Sequence, residues 1–178
     1  MNGFGSQSSK KYIKVITLLF FMKVKLIGII AVFTALTATM TCIMFPMPRP
    51  LGYVNLGEIA IFLSSILFGP VVGAFSGGVG SMVADIALGY YVYAPATLLI
   101  KGFEGFIVGY LRKLNEIAAM LMGSLSMVFG YFLFDYILYG PVAWLDLLFF
   151  AASLIRISIS YLILRLLKKS PIMKNLQC

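Results

Sequence analysis

The stretch LGYVNLGEIAIFLSSILFGPVVGAFSGGVGSMVADIALGYYVYAPATLLIKGFEGFIVG, residues 51–109, decides how the chain is read. It is apolar and rich in glycine, yet it holds four ionisable side chains, Glu58, Asp85, Lys101 and Glu104. Charge is costly in hydrocarbon, and where it is kept it usually marks a function. Gly69-Pro70 divides the stretch into two helices joined by a tight turn, because proline cannot continue the first helix. Beyond that break Gly73, Gly77, Ser81 and Asp85 recur every four positions, forming one stripe that a neighbouring backbone can approach closely. Asp85 is therefore expected to face protein, not lipid. A second stripe of Ser76, Gly80 and Ala84 narrows the same helix, as suits the middle of a bundle. The following helix has Pro95 in its first turn and a polar stripe of Thr97, Lys101 and Glu104. Lys101 lies on the order of 9 Å below the start of that helix at about 1.5 Å per residue, a depth that suits a pocket floor. Either Lys101 pairs internally with Asp85 or Glu104, or these groups line a site in which Asp85 orients Lys101 from behind.

Composition extends this reading to the whole chain. Of 178 residues, 61% are hydrophobic and 11% charged, too apolar for a soluble domain of this size. Apolar runs at about 26–46, 57–69, 71–89, 93–111, 118–139 and 145–166 predict an all-α, six-transmembrane-helix bundle whose second helix is short. The net charge of +8 is a topology signal and not a nucleic-acid patch. Lys10, Lys11, Lys14, Lys23 and Lys25 precede the first span, Arg112 and Lys113 follow the fourth, and Arg165, Lys168, Lys169 and Lys174 follow the sixth. The opposite side receives only Arg49. Basic residues favour the inside, so both termini are predicted cytoplasmic, with outer loops at 47–56, 90–93 and 140–145. The expected organisation is an extension over 1–21, a membrane domain over 22–168 and a cytoplasmic tail over 169–178. The extension is either an interfacial segment or lies ahead of a true start at Met22; no cleavable signal pattern is present.

The rest of the chain offers binding groups more readily than catalytic ones. Asp135 and Arg156 are the remaining deep charges, and mutual pairing is the simplest expectation for them. Tyr131, Tyr136, Tyr139 and Trp144 crowd the outer end, where amphipathic rings form an interfacial belt. Together with Tyr53, Tyr90, Tyr91 and Tyr93 they also offer surfaces on which a flat ring can stack. A nucleophile beside a base, or a metal cluster, is what an enzyme would need; the chain has no His, and Cys42 and Cys178 form no paired motif. No cofactor or metal is expected. Gly78-Val79-Gly80-Ser81 lacks the lysine of a phosphate-binding loop, so the chain does not hydrolyse ATP itself. A lipid-directed membrane enzyme using Asp85, Glu104 or Asp135, and a scaffold without ligand, stand as alternatives to a binding subunit.

The order N-L-G-acid, F-G-P, G-x-x-x-G, A-D, G-Y and I-K-G-x-E-G, behind an A-x-x-x-A first helix (Ala31, Ala35), resembles the S component of energy-coupling factor (ECF) vitamin transporters over residues 22–168. Glu58 departs from the Asp more usual at that position. The resemblance implies a multi-pass protein of the cell membrane that captures a vitamin-like molecule near the outer face, with the first outer loop as a lid. It implies as partners a membrane T component, contacted through Ala31 and Ala35, and two ATPase subunits. The residues expected around the cargo are Tyr53, Asn55, Glu58, Asp85, Tyr90, Tyr93, Lys101 and Glu104, with Trp144 as an aromatic wall. Riboflavin is the first expectation for the cargo, on aromatic crowding, whereas Lys101 would suit a carboxylate-bearing one.

Overall fold

A computed structural model describes residues 4–46 and 53–170, with side chains described from Met22 onward except Pro46. Arg49, the tip of the first outer loop and the tail over 171–178 lie outside the described residues. Helix α1 runs without interruption over Phe4–Cys42. A short antiparallel pair follows, β1 (Met44–Pro46) with β2 (Tyr53–Asn55), Phe45 opposite Val54. Then come α2 (Gly57–Phe68), α3 (Pro70–Leu88), α4 (Ala94–Leu111), α5 (Glu116–Tyr139), a 3-10 helix (Gly140–Leu148) and α6 (Phe149–Lys169). Four stretches are long and apolar enough to cross a membrane: Met22–Cys42, Pro70–Leu88, Ala94–Leu111 and the continuous run Glu116–Lys169. α2 is apolar but has only 12 residues.

Local chemistry explains the breaks. Gly69 adopts φ +98°, a region closed to most side chains, and Pro70 opens α3 directly behind it. Gly89 caps α3 in the left-handed conformation, its N–H reaching back to the last turn. Asn115 caps α5, its side chain accepting from the N–H groups of Ile117 and Ala118. The connection after α5 differs from expectation. The sequence predicts a plain loop over 140–145, whereas Gly140 at φ +68° and Pro141 redirect the chain into a nine-residue 3-10 helix, and α6 starts only at Phe149.

α3 lies between α1 and α4, and its small residues are why it fits. A Cβ placed on Gly77 would lie 2.5 Å from the carbonyl oxygen of Lys101, and one on Gly80 would lie 2.8 Å from that of Thr34. Gly73 meets Gly105 in the same way, and Gly109 meets Pro70, so α3 and α4 run antiparallel in near backbone contact. The apolar core of Phe62, Ile66, Val108, Ala119, Met120, Ile157 and Leu164 binds α2, α4, α5 and α6 together. It lies beyond the buried charges along α2, α4 and α6, which leaves the other end of these helices for polar groups.

This packing yields a sharp contrast. A Cβ at Gly105 would stand 2.2 Å from the carbonyl oxygen of Gly73, while one at Gly28 meets nothing within 4 Å. Overpacking of this kind costs about 1–3 kcal/mol or more where backbone must move. Gly105→Ala is expected to lower the melting temperature in detergent by several degrees and Gly28→Ala to leave it unchanged or raised; equal melts for the two variants would contradict the contact.

Candidate functional site

The charges singled out in the sequence converge; the expected Lys101–Glu104 pair forms, and the other pairings differ from expectation. Lys101 Nζ donates to Glu58 Oε1 at 3.1 Å and to Glu104 Oε2 at 3.0 Å. Arg156 Nη2 reaches the same Glu58 Oε1 at 3.0 Å, and Ser153 Oγ donates to Glu58 Oε2 at 3.0 Å. Two carboxylates and two cations thus form one buried, charge-balanced network joining α2, α4 and α6. Each ion loses several kcal/mol of hydration on burial, which mutual pairing offsets, although Glu104 Oε1 and Arg156 Nε have no partner among the described residues. The expected Asp135–Arg156 pair does not form, because Arg156 is drawn to the doubly shared Glu58 carboxylate. Lys101 does not pair with Asp85 either; two glutamates already hold it.

Above the network lies a cavity between β2 and helices α3 to α6. Its floor carries Glu58, Lys101 and Arg156, and its walls carry Tyr53, Asp85, Tyr90, Tyr93, Thr97, Tyr131, Asp135 and Asp146. Tyr53 donates its hydroxyl to Asp85 Oδ1, tying β2 to α3, and its ring packs 4.9 Å from that of Tyr90. Burial first, and then the Asp85 carboxylate, push the Tyr53 phenol far above its usual range, so it stays a proton donor. Tyr93 donates to Asp135 Oδ1 at 2.9 Å, and Thr97 Oγ1 meets the Tyr131 hydroxyl at 3.0 Å. Asn55 is on the wall with its side chain already engaged, since Oδ1 accepts from Gly57 N–H at 2.8 Å and so starts α2, while its carbonyl accepts from Arg156 Nη1 at 3.1 Å.

Comparisons with known proteins agree with this architecture. The family model described as "ECF-type riboflavin transporter, S component" matches residues 21–167. The chain belongs to that family. An uncharacterized protein of Pyrococcus woesei is 45% identical over 112 residues, 60% of this chain and 75% of that one. The thiamine precursor transporter HmpT of Lactococcus lactis is 31% identical over 121 residues, 66% of this chain and 70% of that one. A solved structure described under the heading "Structure and mechanism of the S component of a bacterial ECF transporter" shares the fold, with a TM-score of 0.63 over 82% of this chain and 96% of that chain at 17% identity.

As an S component the chain is a non-catalytic, multi-pass protein of the plasma membrane that binds a vitamin-type substrate, in a family that works with a membrane T component and ATPases. Of the residues expected around the substrate, the structure brings Tyr53, Asn55, Glu58, Asp85, Tyr90, Tyr93 and Lys101 to one cavity. Glu104 is fully buried behind Lys101 and does not line it. Trp144 is also absent from the wall: it is 61% exposed and packs 5.1 Å from Phe132, because the 3-10 geometry turns it outward. Ala31 and Ala35 are exposed on α1, open to a neighbour.

The expected substrate contacts leave out several wall residues, among them Tyr131, Asp135, Asp146 and Arg156. Tyr131 reads in sequence as part of the aromatic belt or a stacking surface, and Met127, Tyr131 and Asp135 share a four-residue spacing that places all three on the cavity side of α5. Arg156 carried the signal of a deep charge but was given the wrong partner. Asp146 had no signal, as it lies in the unforeseen 3-10 helix.

The network makes Glu58 the residue whose loss strands most charge. Removing one member of a buried pair costs about 3–5 kcal/mol, against about 0–1 kcal/mol for an exposed bridge. Glu58→Gln should therefore depress the melting temperature far more than Glu116→Gln, which loses only the exposed contact to Lys168; the reverse order would overturn this account of the fold.

Proposed function

We propose that the chain captures a flat, donor-bearing vitamin or vitamin precursor in the cavity between β2 and α3–α6 and delivers it inward with a T component and two ATPase subunits. The observation that carries this reading is the cavity itself. It is lined by polar and aromatic side chains, sits above a floor of paired charges and is crossed by the Tyr53–Asp85 contact. Tyr53, Tyr90, Tyr93 and Tyr131 supply stacking faces and hydroxyls, and Asp85 and Asp135 supply acceptors. Lys101 acts from the floor as a fixed member of the Glu58–Glu104 network and not as an anchor for a carboxylate-bearing cargo. Glu104 supports it from behind.

Riboflavin is the first candidate, in keeping with the description of the matching family model and with the flavin's imide N–H and ribityl hydroxyls, all donors to the acidic wall. A pyrimidine precursor of thiamine is the second, favoured by the likeness to HmpT. The chain is read as six membrane passes over 22–168, flanked by an extension over 1–21 and a tail over 169–178, with both termini cytoplasmic. The side-by-side placement of Glu116, at the start of α5, and Lys168, at the end of α6, supports that topology. So does Arg112, whose guanidinium bonds the Ile66 carbonyl beside the Gly69 turn, gathering basic residues at the end away from the cavity. Ala31 and Ala35, exposed on the small face of α1, form the proposed contact with the T component.

A ligand that binds only the folded state stabilises it by about 2.7 kcal/mol at a hundredfold excess over its dissociation constant. In a thermal-shift panel on the detergent-purified chain, riboflavin or the thiamine-precursor pyrimidine should raise the melt by several degrees, whereas no shift across vitamins and precursors would reject the capture reading. With cysteines introduced singly into a Cys42→Ser, Cys178→Ser background in intact cells, Tyr91→Cys should react with an impermeant maleimide and Lys113→Cys should not; the opposite pattern would invert the topology.

A further inference from the structure

Beyond the floor network, the cavity has a second polar cluster that the capture reading leaves unassigned. The wall presents four acids, Glu58, Asp85, Asp135 and Asp146, against two bases, Lys101 and Arg156; both bases pair with Glu58 and Lys101 also with Glu104, while Arg156 Nε keeps no partner among the described residues. Among the described residues, no salt bridge reaches Asp85, Asp135 or Asp146. Asp146 is 1% exposed, and neither of its carboxyl oxygens has a hydrogen-bond donor; Oδ2 of the buried Asp85 has none either. Buried carboxyl oxygens without donors are costly, and both side chains border the same empty space. Asp135, its Oδ1 held by Tyr93, lines the same cavity as Asp146.

We infer that Asp135 and Asp146, with Asp85 across the cavity, form a donor-reading subsite that selects an uncharged or cationic cargo bearing N–H or O–H groups and excludes anionic cargo, phosphate esters above all. The inference rests on the capture reading above and deepens it. Neutral amide, amino or hydroxyl donors complete the open valences of these oxygens. A phosphate or carboxylate brings further acceptors and negative charge to a wall whose acids outnumber its bases among the described residues, and like-charge juxtaposition in a desolvated site disfavours it. A site built to take a hydrogen bond discriminates strongly against a ligand that leaves its polar groups unpaired. The same logic makes Asp146 a specificity-determining residue: an amide at this position keeps the shape, removes charge and offers an N–H donor that a phosphate oxygen accepts.

The test is calorimetric titration of the full-length, detergent-purified chain with two matched pairs and one anion: riboflavin and riboflavin 5′-phosphate, the thiamine-precursor hydroxymethylpyrimidine and its phosphate ester, and pantothenate. The expected result is binding of one unphosphorylated parent, with its phosphate ester at least about tenfold weaker and no measurable heat from pantothenate. Asp146→Asn should weaken the parent while narrowing the parent-to-ester ratio, with Asp135→Asn as the second variant should the first fail to fold. Equal or tighter binding of an ester, preferred binding of pantothenate, or an unchanged ratio in a folded Asp146→Asn or Asp135→Asn variant would overturn the subsite and leave the capture reading standing. Heat from none of the five compounds would overturn both.

Discussion

The Glu58 carboxylate is the point on which this structure depends. It sits on the first turn of α2, receives Lys101 from α4 and Arg156 from α6 on one oxygen, and receives Ser153 on the other. Helices with little hydrophobic drive to associate within lipid need close packing or polar contacts to hold them. Here α3 and α4 use the first device, through facing glycines, and α2, α4 and α6 use the second. The division is sensible in energetic terms. Backbone contact between small residues needs no desolvation, whereas the ion network can form only where every charge is matched, and four groups of two signs match.

The network also fixes the position of the entrance. Arg156 extends from Glu58 to the carbonyl of Asn55, and the Asn55 side chain starts α2 at Gly57, so the strand carrying Tyr53 is held to the same cluster that forms the floor. From there Tyr53 crosses to Asp85 on α3. The floor and the strand are thus linked by two polar runs, Glu58–Arg156–Asn55 and Tyr53–Asp85, joined through the backbone of β2.

Much of this was legible in the sequence because helical spacing reports faces directly. The Gly73–Gly77–Ser81–Asp85 stripe predicted a helix held between two others, and the breaks at Gly69-Pro70 and after Gly89 fell where φ angles of +98° and +85° require glycine. The depth of Lys101 and the tyrosines ahead of α4 located the cavity. The Lys101–Glu104 pair on one helix was legible, but pairing between helices was not, because spacing says which face a charge occupies and nothing about which helix stands opposite. Arg156 was accordingly matched to Asp135 when Glu58, 98 positions away in sequence, was nearer in space. Irregular backbone was the other blind spot. A 3-10 helix has no apolar period to betray it, and so Trp144 was expected inside and lies outside, while Asp146 was overlooked and lines the wall.

In the proposed binding mode the chain holds its cargo above the Glu58 network and beneath Tyr53. The most direct measurement is a crystal structure of the full-length chain grown with whichever of riboflavin or the thiamine-precursor pyrimidine raises its melt. The account predicts the molecule within the cavity, its ring against Tyr53, Tyr90 or Tyr131 and its donors on Asp85, Asp135 or Asp146, with Lys101 still bridging Glu58 and Glu104. Density for the ligand on the lipid-facing surface, or a ligand carboxylate or phosphate pulling Lys101 out of its network, would contradict it.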